Sequence, residues 1–416
     1  MSDLEQLASS CILPGFEGPT VPDWVRRRLS EGLGGVVLYA WNVEGREQLA
    51  SLTAELRSER PDVIVAIDEE GGDVTRLEAA RGSSYPGNAA LGVVDDVDLT
   101  RRVAASIGAE LARVGVNLDF APVADVNTNP QNPVIGIRSF GADADLVARH
   151  VAASVEGLQA AGVAACAKHF PGHGDTSLDS HLALPSVDVL EDQALVPFRA
   201  AIEAGVLSLM TAHIVVRSLG EVPATMSRAV LHDLLRSELG FEGLVVTDAL
   251  EMKAISDTVG VEDGAVRAIA AGADALCLGH DLFDESVGSV RDALVDAVRS
   301  KRLAEERLVS AASRVAHLGE LASMAGDAVV DREAGRSAAR RALSVEGAGV
   351  DGPVVVAELV PEFGIAAGRL SQLPGEWFQA VVPDAELVSV GVPGRYQPGL
   401  QPAVVLPPQQ HLDALR

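Results

Sequence analysis

The sequence is poor in aromatic residues and has no long apolar run. Aromatic residues make up 4% of the 416 positions, although apolar residues as a group make up 48%. A core of this size must therefore be filled by Ala, Val, Leu and Ile, which is typical of layered α/β proteins and disfavours a β sandwich. No apolar run reaches the length of a membrane-spanning helix, so we expect no membrane partner.

Basic charge is also scarce. The chain has 33 Lys and Arg against 59 Asp and Glu, which gives a formal net charge of -26. Such a charge repels phosphate backbones and anionic headgroups, and the short run Arg26–Arg28 is too small to offset it. Nucleic acid is therefore excluded as an expected partner.

Cysteine is rare as well, with Cys11, Cys166 and Cys277 as its three occurrences. Each lies inside an apolar run and the count is odd, which predicts buried reduced thiols rather than disulfides. The first ten residues, MSDLEQLASS, show no signal-peptide pattern. From these features we expect a cytoplasmic protein.

Short apolar runs alternate with amphipathic, helix-like segments along most of the chain. This alternation predicts parallel strands. The eight strand candidates are Ser10–Phe16, Gly35–Ala40, Val63–Asp68, Asn117–Asp125, Val163–Phe170, Leu207–Ile214, Leu244–Leu250 and Ala275–Gly279.

Polar residues stand at the carboxyl ends of five of these runs: Asp68, Asp125, His169, His213 and Asp248. In an open sheet such ends spread along an edge, whereas in a barrel they meet at one mouth. A single one, Asp125 for example, is well explained as a helix N-cap, but five together are not. We therefore predict a (β/α)8 barrel.

The remainder of the chain is predicted to be a short appendage. We expect a catalytic barrel over residues 1–325 and an incomplete α/β extension over residues 326–416, irregular from Gly391 onward. Its expected elements are helices at Leu303–Ala322 and Ser337–Leu343 and a strand at Val354–Leu359.

The densest group of polar residues is KHFPGHGDT at 168–176, followed by Asp179 and His181. Lys168 and His169 end an apolar run and would be held on a rigid strand, whereas the following Pro and Gly residues start a loop. In that loop the Asp179 carboxylate can orient the His181 imidazole, which could then protonate a leaving group and deprotonate water. An isolated Asp-x-His pair is usually a chance surface pairing, but the adjacent basic residues favour a site.

Another apolar run ends in Asp248. A carboxylate there suits nucleophilic attack at a sugar's anomeric carbon, where it can stabilise an oxocarbenium-like state and form a covalent intermediate. The N-cap of a following helix explains the same residue equally well, and this segment alone does not decide.

Two further segments carry charged side chains next to Gly residues, AIDEEGGDVTR at 66–76 and GIRSFG at 136–141. Asp68 and Arg76 are suited to binding sugar hydroxyl groups, because a carboxylate accepts several hydrogen bonds and a guanidinium donates several. Arg138 could be a surface ion-pair partner, but its apolar neighbours suggest that it is anchored.

The segments KHFPGHG, DSH, IDEEGG with its following Arg, RSFG and VVTDALEM together resemble the glycoside hydrolase family 3 β-N-acetylglucosaminidases that bacteria use to recycle peptidoglycan. The resemblance runs in order over roughly the first 320 residues. It implies that Asp248 is the catalytic nucleophile and that Asp179 and His181 form the general acid/base dyad. The positions that it implies for binding N-acetylglucosamine are Asp68, Arg76, Arg138, Lys168 and His169.

The resemblance further implies a retaining β-N-acetylhexosaminidase without a cofactor or metal. Its substrate would be a small oligosaccharide or muropeptide derived from peptidoglycan or chitin, and the oligomeric state stays open. Three alternatives remain. A phosphorylase would use the same dyad, since a neutral imidazole does not repel phosphate. A metal-dependent barrel hydrolase would use a ligand cluster of His169, His173, His181, His213, Asp68 and Asp248. The third is a sugar-binding protein without turnover.

Overall fold

Eight short parallel strands alternate with helices in the computed structural model, which describes residues 2–321, 328–343, 355–362, 386–395 and 403–406. Each strand lies inside one of the eight predicted segments. The strands are β1 Ile12–Pro14, β2 Gly35–Leu38, β3 Ile64–Ile67, β4 Leu118–Asp119, β5 Ala164–Phe170, β6 Ser208–Thr211, β7 Leu244–Val246 and β8 Leu276–Gly279.

The strands pair in chain order and the order returns to its start. Strands β2 to β7 form one parallel sheet, and β8 pairs in parallel with β1. A parallel bridge from Val246 to Ala275 links β7 to β8, and the N–H of Gly34 donates to the carbonyl of Ser9 next to β1 and β2. The predicted (β/α)8 barrel is therefore confirmed.

Helices surround the strands. They are α1 Asp3–Ser10, α2 Asp23–Ser30, α3 Arg46–Glu59, α4 Asn88–Val94, α5 Val97–Arg113, α6 Ala144–Ala160, α7 Asp192–Glu203, the π-type α8 Ala229–Glu238, α9 Lys253–Ser256, α10 Val261–Ala271, α11 Asp284–Arg299, α12 Glu305–Leu321 and α13 Arg332–Ala342. Every residue of β1 to β8 is buried, because the helices cover the outer face and side chains fill the interior. In the described residues, none of the helices combines the length and apolarity that crossing a membrane requires.

The three cysteines are free and buried, as predicted. Burial raises the pKa of the Cys11 and Cys166 thiols to about 12. They act as small apolar core residues in this structure.

The C-terminal part differs from the expectation in two places. Helix α13 begins five residues earlier than predicted, because the Asp331 side chain caps it by accepting from the N–H of Ala334. Val355–Glu362 overlaps the predicted strand Val354–Leu359. It pairs in parallel with Glu386–Arg395 and antiparallel with Ala403–Leu406, two strands that extend into the tail predicted to be irregular from Gly391. Alternating and β-branched residues in these short runs outweigh the surrounding Pro and Gly. The rest of the tail and the boundary near 325 lie outside the described residues.

A buried ion cluster closes the amino-terminal end of the barrel. Asp274, just before β8, is fully buried and accepts hydrogen bonds from Arg236, at 2.6 Å, and from Arg307. It also accepts from the backbone N–H of Val245 in β7 at 2.9 Å. One carboxylate thus ties the barrel wall to two helices, α8 and α12.

Replacing Asp274 with Ala leaves Arg236 without its buried counter-charge, so we expect the free energy of unfolding to fall by about 3–5 kcal/mol. Asp263→Ala, which removes a half-exposed partner of Arg267 and Arg302, should cost less than about 1 kcal/mol. Urea denaturation of the three proteins measures both values. Equal costs for the two variants would contradict a stabilising role for the buried cluster.

Candidate active site

One pocket opens at the carboxyl end of the barrel strands and has a volume of about 210 Å³. Seven of the eight predicted site residues line it: Asp68, Arg76, Arg138, Lys168, His169, His181 and Asp248. The eighth, Asp179, does not line the pocket but contacts Nδ1 of the His181 side chain. Of the five strand-end residues that predicted a barrel mouth, Asp68, His169 and Asp248 line this pocket. Asp125 and His213 lie behind it, bonded to His169 and to the carbonyl of Ala249.

The floor of the pocket is a buried network of opposite charges. The Lys168 ammonium lies 2.7 Å from carboxylate oxygens of both Asp68 and Glu70. Arg138 binds Glu70 through two nitrogens, at 2.7 and 3.0 Å, and Arg76 lies 3.5 Å from Asp68. Arg138 is therefore anchored inside the site and is not a surface ion-pair partner.

Glu70 is a site residue that the sequence interpretation missed. Burial alone would raise the pKa of this carboxyl, but Arg138 and Lys168 outweigh burial and hold the pKa well below its usual range. The available signal was its place in IDEEGG, two residues after Asp68, at the point where β3 ends. Glu70 fixes the directions in which Lys168 and Arg138 present their hydrogens.

Asp125 is the second missed residue, and its interpretation as a helix N-cap is wrong. Its carboxylate is fully buried and lies 2.7 Å from Nδ1 of His169. It also accepts from the backbone N–H of His173 at 2.6 Å and from that of His169. Asp125 therefore fixes both the turn after β5 and the imidazole of His169, whose Nδ1–H donates to the carboxylate.

The predicted dyad is assembled in the loop after β5. Nδ1 of His181 lies 2.8 Å from Oδ1 of Asp179, and the backbone N–H of His181 donates to the same oxygen at 2.8 Å. Burial raises the pKa of Asp179, but the hydrogen bonds and charge of His181 lower it below its ordinary value overall. With Nδ1–H donating to Asp179, Nε2 of His181 is the nitrogen left for a ligand.

Asp248 follows β7 and lines the same pocket as His181. Its Oδ1 accepts the N–H of Ala249 at 2.8 Å, whereas the next helix begins only at Lys253 after Met252. It is therefore not the helix cap. Burial raises the pKa of Asp248, but His213, His169 and His181 outweigh burial and lower it below 3.8. The side chain is a carboxylate at neutral pH.

The cluster that a metal-dependent hydrolase would need is not assembled in the described residues. The ring nitrogens of His173 are bonded to Thr176, at 2.7 Å, and Ser180, at 3.0 Å. Those of His213 are bonded to Thr225 and to the carbonyl of Ala249. Within the described part of the chain, the one group with suitably close ligand atoms is Glu251, His280 and Asp281, which contains none of the six proposed ligands.

Residues 15–318 match the model of the glycosyl hydrolase family 3 N-terminal domain. The chain belongs to glycoside hydrolase family 3. Family membership agrees with the resemblance drawn from the five segments, and the matched residues span the barrel strands β2 to β8.

Similar proteins are named as β-hexosaminidases or β-N-acetylglucosaminidases. Over 321 residues the chain is 39% identical to β-hexosaminidase A of Pseudoalteromonas piscicida, a match that covers 69% of this chain and 53% of that protein. The chain thus spans about half the length of this relative. It is 35% identical to the β-hexosaminidase of Neisseria meningitidis serogroup B over 64% of this chain and 80% of that one. The structure of a family 3 β-N-acetylglucosaminidase from Paenibacillus sp. FPU-7 superposes with a TM-score of 0.86 at 38% identity, covering 94% of this chain and 80% of that one.

Two further carboxyl groups, Glu69 and Asp119, are buried beneath the floor of the pocket. Glu69 accepts the backbone N–H groups of Arg76 and Leu77 at 2.7 and 3.0 Å, yet burial raises its pKa to about 7. Burial also raises the pKa of Asp119, whose Oδ2 has no hydrogen-bond partner. Burial thus shifts the pKa of both groups upward, toward the protonated form, whereas the pKa of Glu70 next to them is lowered.

Glu69→Gln should flatten the pH dependence of stability. Because the folded pKa of about 7 lies above the ordinary 4.5, the folded protein binds more protons between these pH values, and its unfolding free energy falls as pH rises through them. The slope for one such carboxyl is about 1.4 kcal/mol for each pH step of one, and we expect it to disappear in the variant. Urea denaturation at several pH values from 4.5 to 7.5 measures it.

Glu306→Gln is the matched control, because Glu306 is exposed on α12. It should keep the pH dependence of the unmodified protein. If Glu69→Gln also kept it, the protonated state inferred for Glu69 would be wrong.

Proposed function

We propose that this chain is a retaining β-N-acetylhexosaminidase that removes terminal β-linked N-acetylglucosamine from peptidoglycan- or chitin-derived fragments through a covalent glycosyl-aspartate. The observation that carries this proposal is the meeting, in one pocket, of the ionised Asp248 and an imidazole oriented by Asp179. The names of the family relatives support the activity. Release of N-acetylglucosamine from N,N′-diacetylchitobiose and from muropeptides, identified by mass spectrometry, tests it.

The residues divide the reaction into two steps. The Asp248 carboxylate attacks the anomeric carbon while Nε2–H of His181 protonates the departing glycosidic oxygen, so the aglycone leaves as an alcohol. His181, now neutral, then removes a proton from water, which displaces Asp248 and releases the sugar with retained configuration. Asp179 holds the ring and stabilises its protonated form in both steps.

The charged floor serves as the subsite for the terminal sugar in this proposal. The side chains of Asp68, Arg76 and Lys168 are held by their partners and need not reorganise when sugar hydroxyls bind. Arg138 and His169 are fixed in the same way, by Glu70 and Asp125. All proposed catalytic and binding residues lie between positions 68 and 248, so we assign catalysis to the barrel of residues 1–325 and no catalytic group to residues 326–416.

A phosphorylase is the second candidate, because the general base is a histidine rather than a carboxylate. Phosphate could attack the glycosyl-enzyme without repulsion from a second anion at that position. N-acetylglucosamine 1-phosphate as the main product in phosphate buffer would favour the phosphorylase, and free N-acetylglucosamine would favour the hydrolase.

We also propose a cytoplasmic location, which the three free buried thiols support.

Asp248→Ala should lower kcat roughly 10⁴-fold or more, because the covalent intermediate cannot form. In the unmodified protein, a 5-fluoro glycosyl donor should label Asp248 covalently, which peptide mass spectrometry detects. A label on another residue would refute the assignment of the nucleophile.

His181→Ala should affect substrates according to their leaving groups. We expect kcat/KM for N,N′-diacetylchitobiose to fall about 10²–10³-fold, because its alcohol needs protonation, and that for a 2,4-dinitrophenyl glycoside to fall less than about tenfold. His232→Ala, on the exposed face of α8, is a control that should leave both values unchanged. Equal losses on both substrates would argue against an acid role for His181.

A further inference from the structure

An aromatic side chain borders the pocket. Trp41 lines the same cavity as Asp248, yet its side chain is 44% exposed. In the described residues it is the single aromatic among the exposed large apolar side chains. An exposed indole at the edge of a polar pocket indicates a contact surface for a ligand.

The Trp41 ring is held in place from three sides. Its Nε1–H donates to the carbonyl of Phe16 at 2.9 Å. Tyr39 stacks on it with a centroid distance of 5.0 Å and an interplanar angle of 24°, and the His280 ring meets it edge-on at 5.5 Å. A ring fixed before binding loses little rotamer entropy when a ligand stacks on it.

His280 is fixed as well. Its backbone N–H donates to Oε1 of Glu251 at 2.7 Å, and its Nδ1 lies 2.6 Å from Oδ1 of Asp281. The two residues that hold His280 lie at the mouth of the barrel, since Glu251 follows β7 and Asp281 follows β8. Trp41 and His280, which we call the rim surface, are therefore built from separate parts of the chain.

The rim surface is an exposed part of the pocket, whereas the floor is buried. The floor residue Lys168 has a side chain only 2% exposed, whereas Trp41 reaches solvent. If the terminal sugar binds on the floor with its anomeric carbon at Asp248, as the proposed function requires, the aglycone extends toward the exposed part of the pocket, which includes the rim surface. The apolar C–H face of a pyranose ring fits the electron-rich face of an indole.

Charge limits which aglycone fits. Arg76, Arg138 and Lys168, the Lys and Arg residues lining the pocket, each lie within 3.5 Å of a carboxylate. The rim surface instead has acidic neighbours, Glu251 and the largely exposed Asp281. A carboxylate on the aglycone would be repelled by these acids. The Lys and Arg side chains among the described residues that line the pocket already have carboxylate partners.

We propose that Trp41 and His280 form the aglycone subsite and that this subsite selects an uncharged pyranose, as in chitin fragments, over a pyranose bearing a free carboxylate, as in N-acetylmuramic acid. The inference rests on the proposed function, which supplies the position of the terminal sugar. It narrows the substrate class that the catalytic residues leave open.

The test compares substrates with and without an aglycone ring. For Trp41→Ala we expect kcat/KM for N,N′-diacetylchitobiose to fall about tenfold, and that for N-acetylglucosaminyl β-azide, which has no aglycone ring, to fall at least fivefold less. Trp41→Tyr should recover most of the loss, because it restores a flat ring. Val309→Ala, at an equally exposed apolar residue of α12, should change neither value.

Equal losses on both substrates, or no loss on either, would overturn the role of Trp41 while leaving the proposed function intact. Absence of turnover of both substrates by the unmodified protein would overturn the proposed function and this inference together.

A second comparison tests charge selection. The unmodified protein should cleave N-acetylglucosaminyl-N-acetylmuramic acid more slowly than the methyl ester of the same disaccharide, by about three- to tenfold at low ionic strength, with the ratio shrinking as salt is added. Asp281→Asn should narrow the ratio. Faster cleavage of the free acid than of its ester would overturn the proposed selectivity.

Discussion

The position of Lys168 between Asp68 and Glu70 is the interaction on which the active site depends. A buried ammonium is costly unless nearby carboxylates compensate it, and here two of them lie at 2.7 Å. Glu70 in turn neutralises Arg138, so one compact network satisfies four buried or nearly buried charges. Because the network links the ends of β3 and β5 to the loop that carries Arg138, it also sets the shape of the floor.

Asp125 plays the corresponding part for the loop that carries the dyad. It holds His169 and the turn at His173 from inside the barrel, while His173 contacts Ser180, the residue between the two members of the dyad. The chain of contacts runs from the end of β5 to the loop whose His181 lines the pocket. These contacts hold the loop of the proposed general acid in position while the His181 side chain stays exposed to the pocket.

The rim differs from the floor in physical character. The floor is an array of paired charges suited to hydroxyl groups, whereas Trp41 and His280 present aromatic rings held by a carbonyl and by Glu251. In the proposed function, charged groups recognise the terminal sugar and stacking recognises the aglycone. The proposed catalytic pair, Asp248 and His181, lines the same pocket as both.

The sequence by itself determined the eight strands, the barrel and the family. Short apolar runs, and segments such as KHFPGHG that occur in a fixed order along the chain, are local patterns that can be recognised without a structure. It also picked out Asp248 and the Asp179–His181 pair. Only the tertiary structure distinguished Asp125 as a site residue from a helix cap, because its partners, His169 and His173, lie more than forty positions away. The roles of Glu70 and Trp41 also come from residues distant in sequence, Arg138 and Lys168 for Glu70 and Phe16 and His280 for Trp41. The position of Glu70 in IDEEGG marks it as a candidate, but its surroundings decide what a buried charge or an exposed ring does.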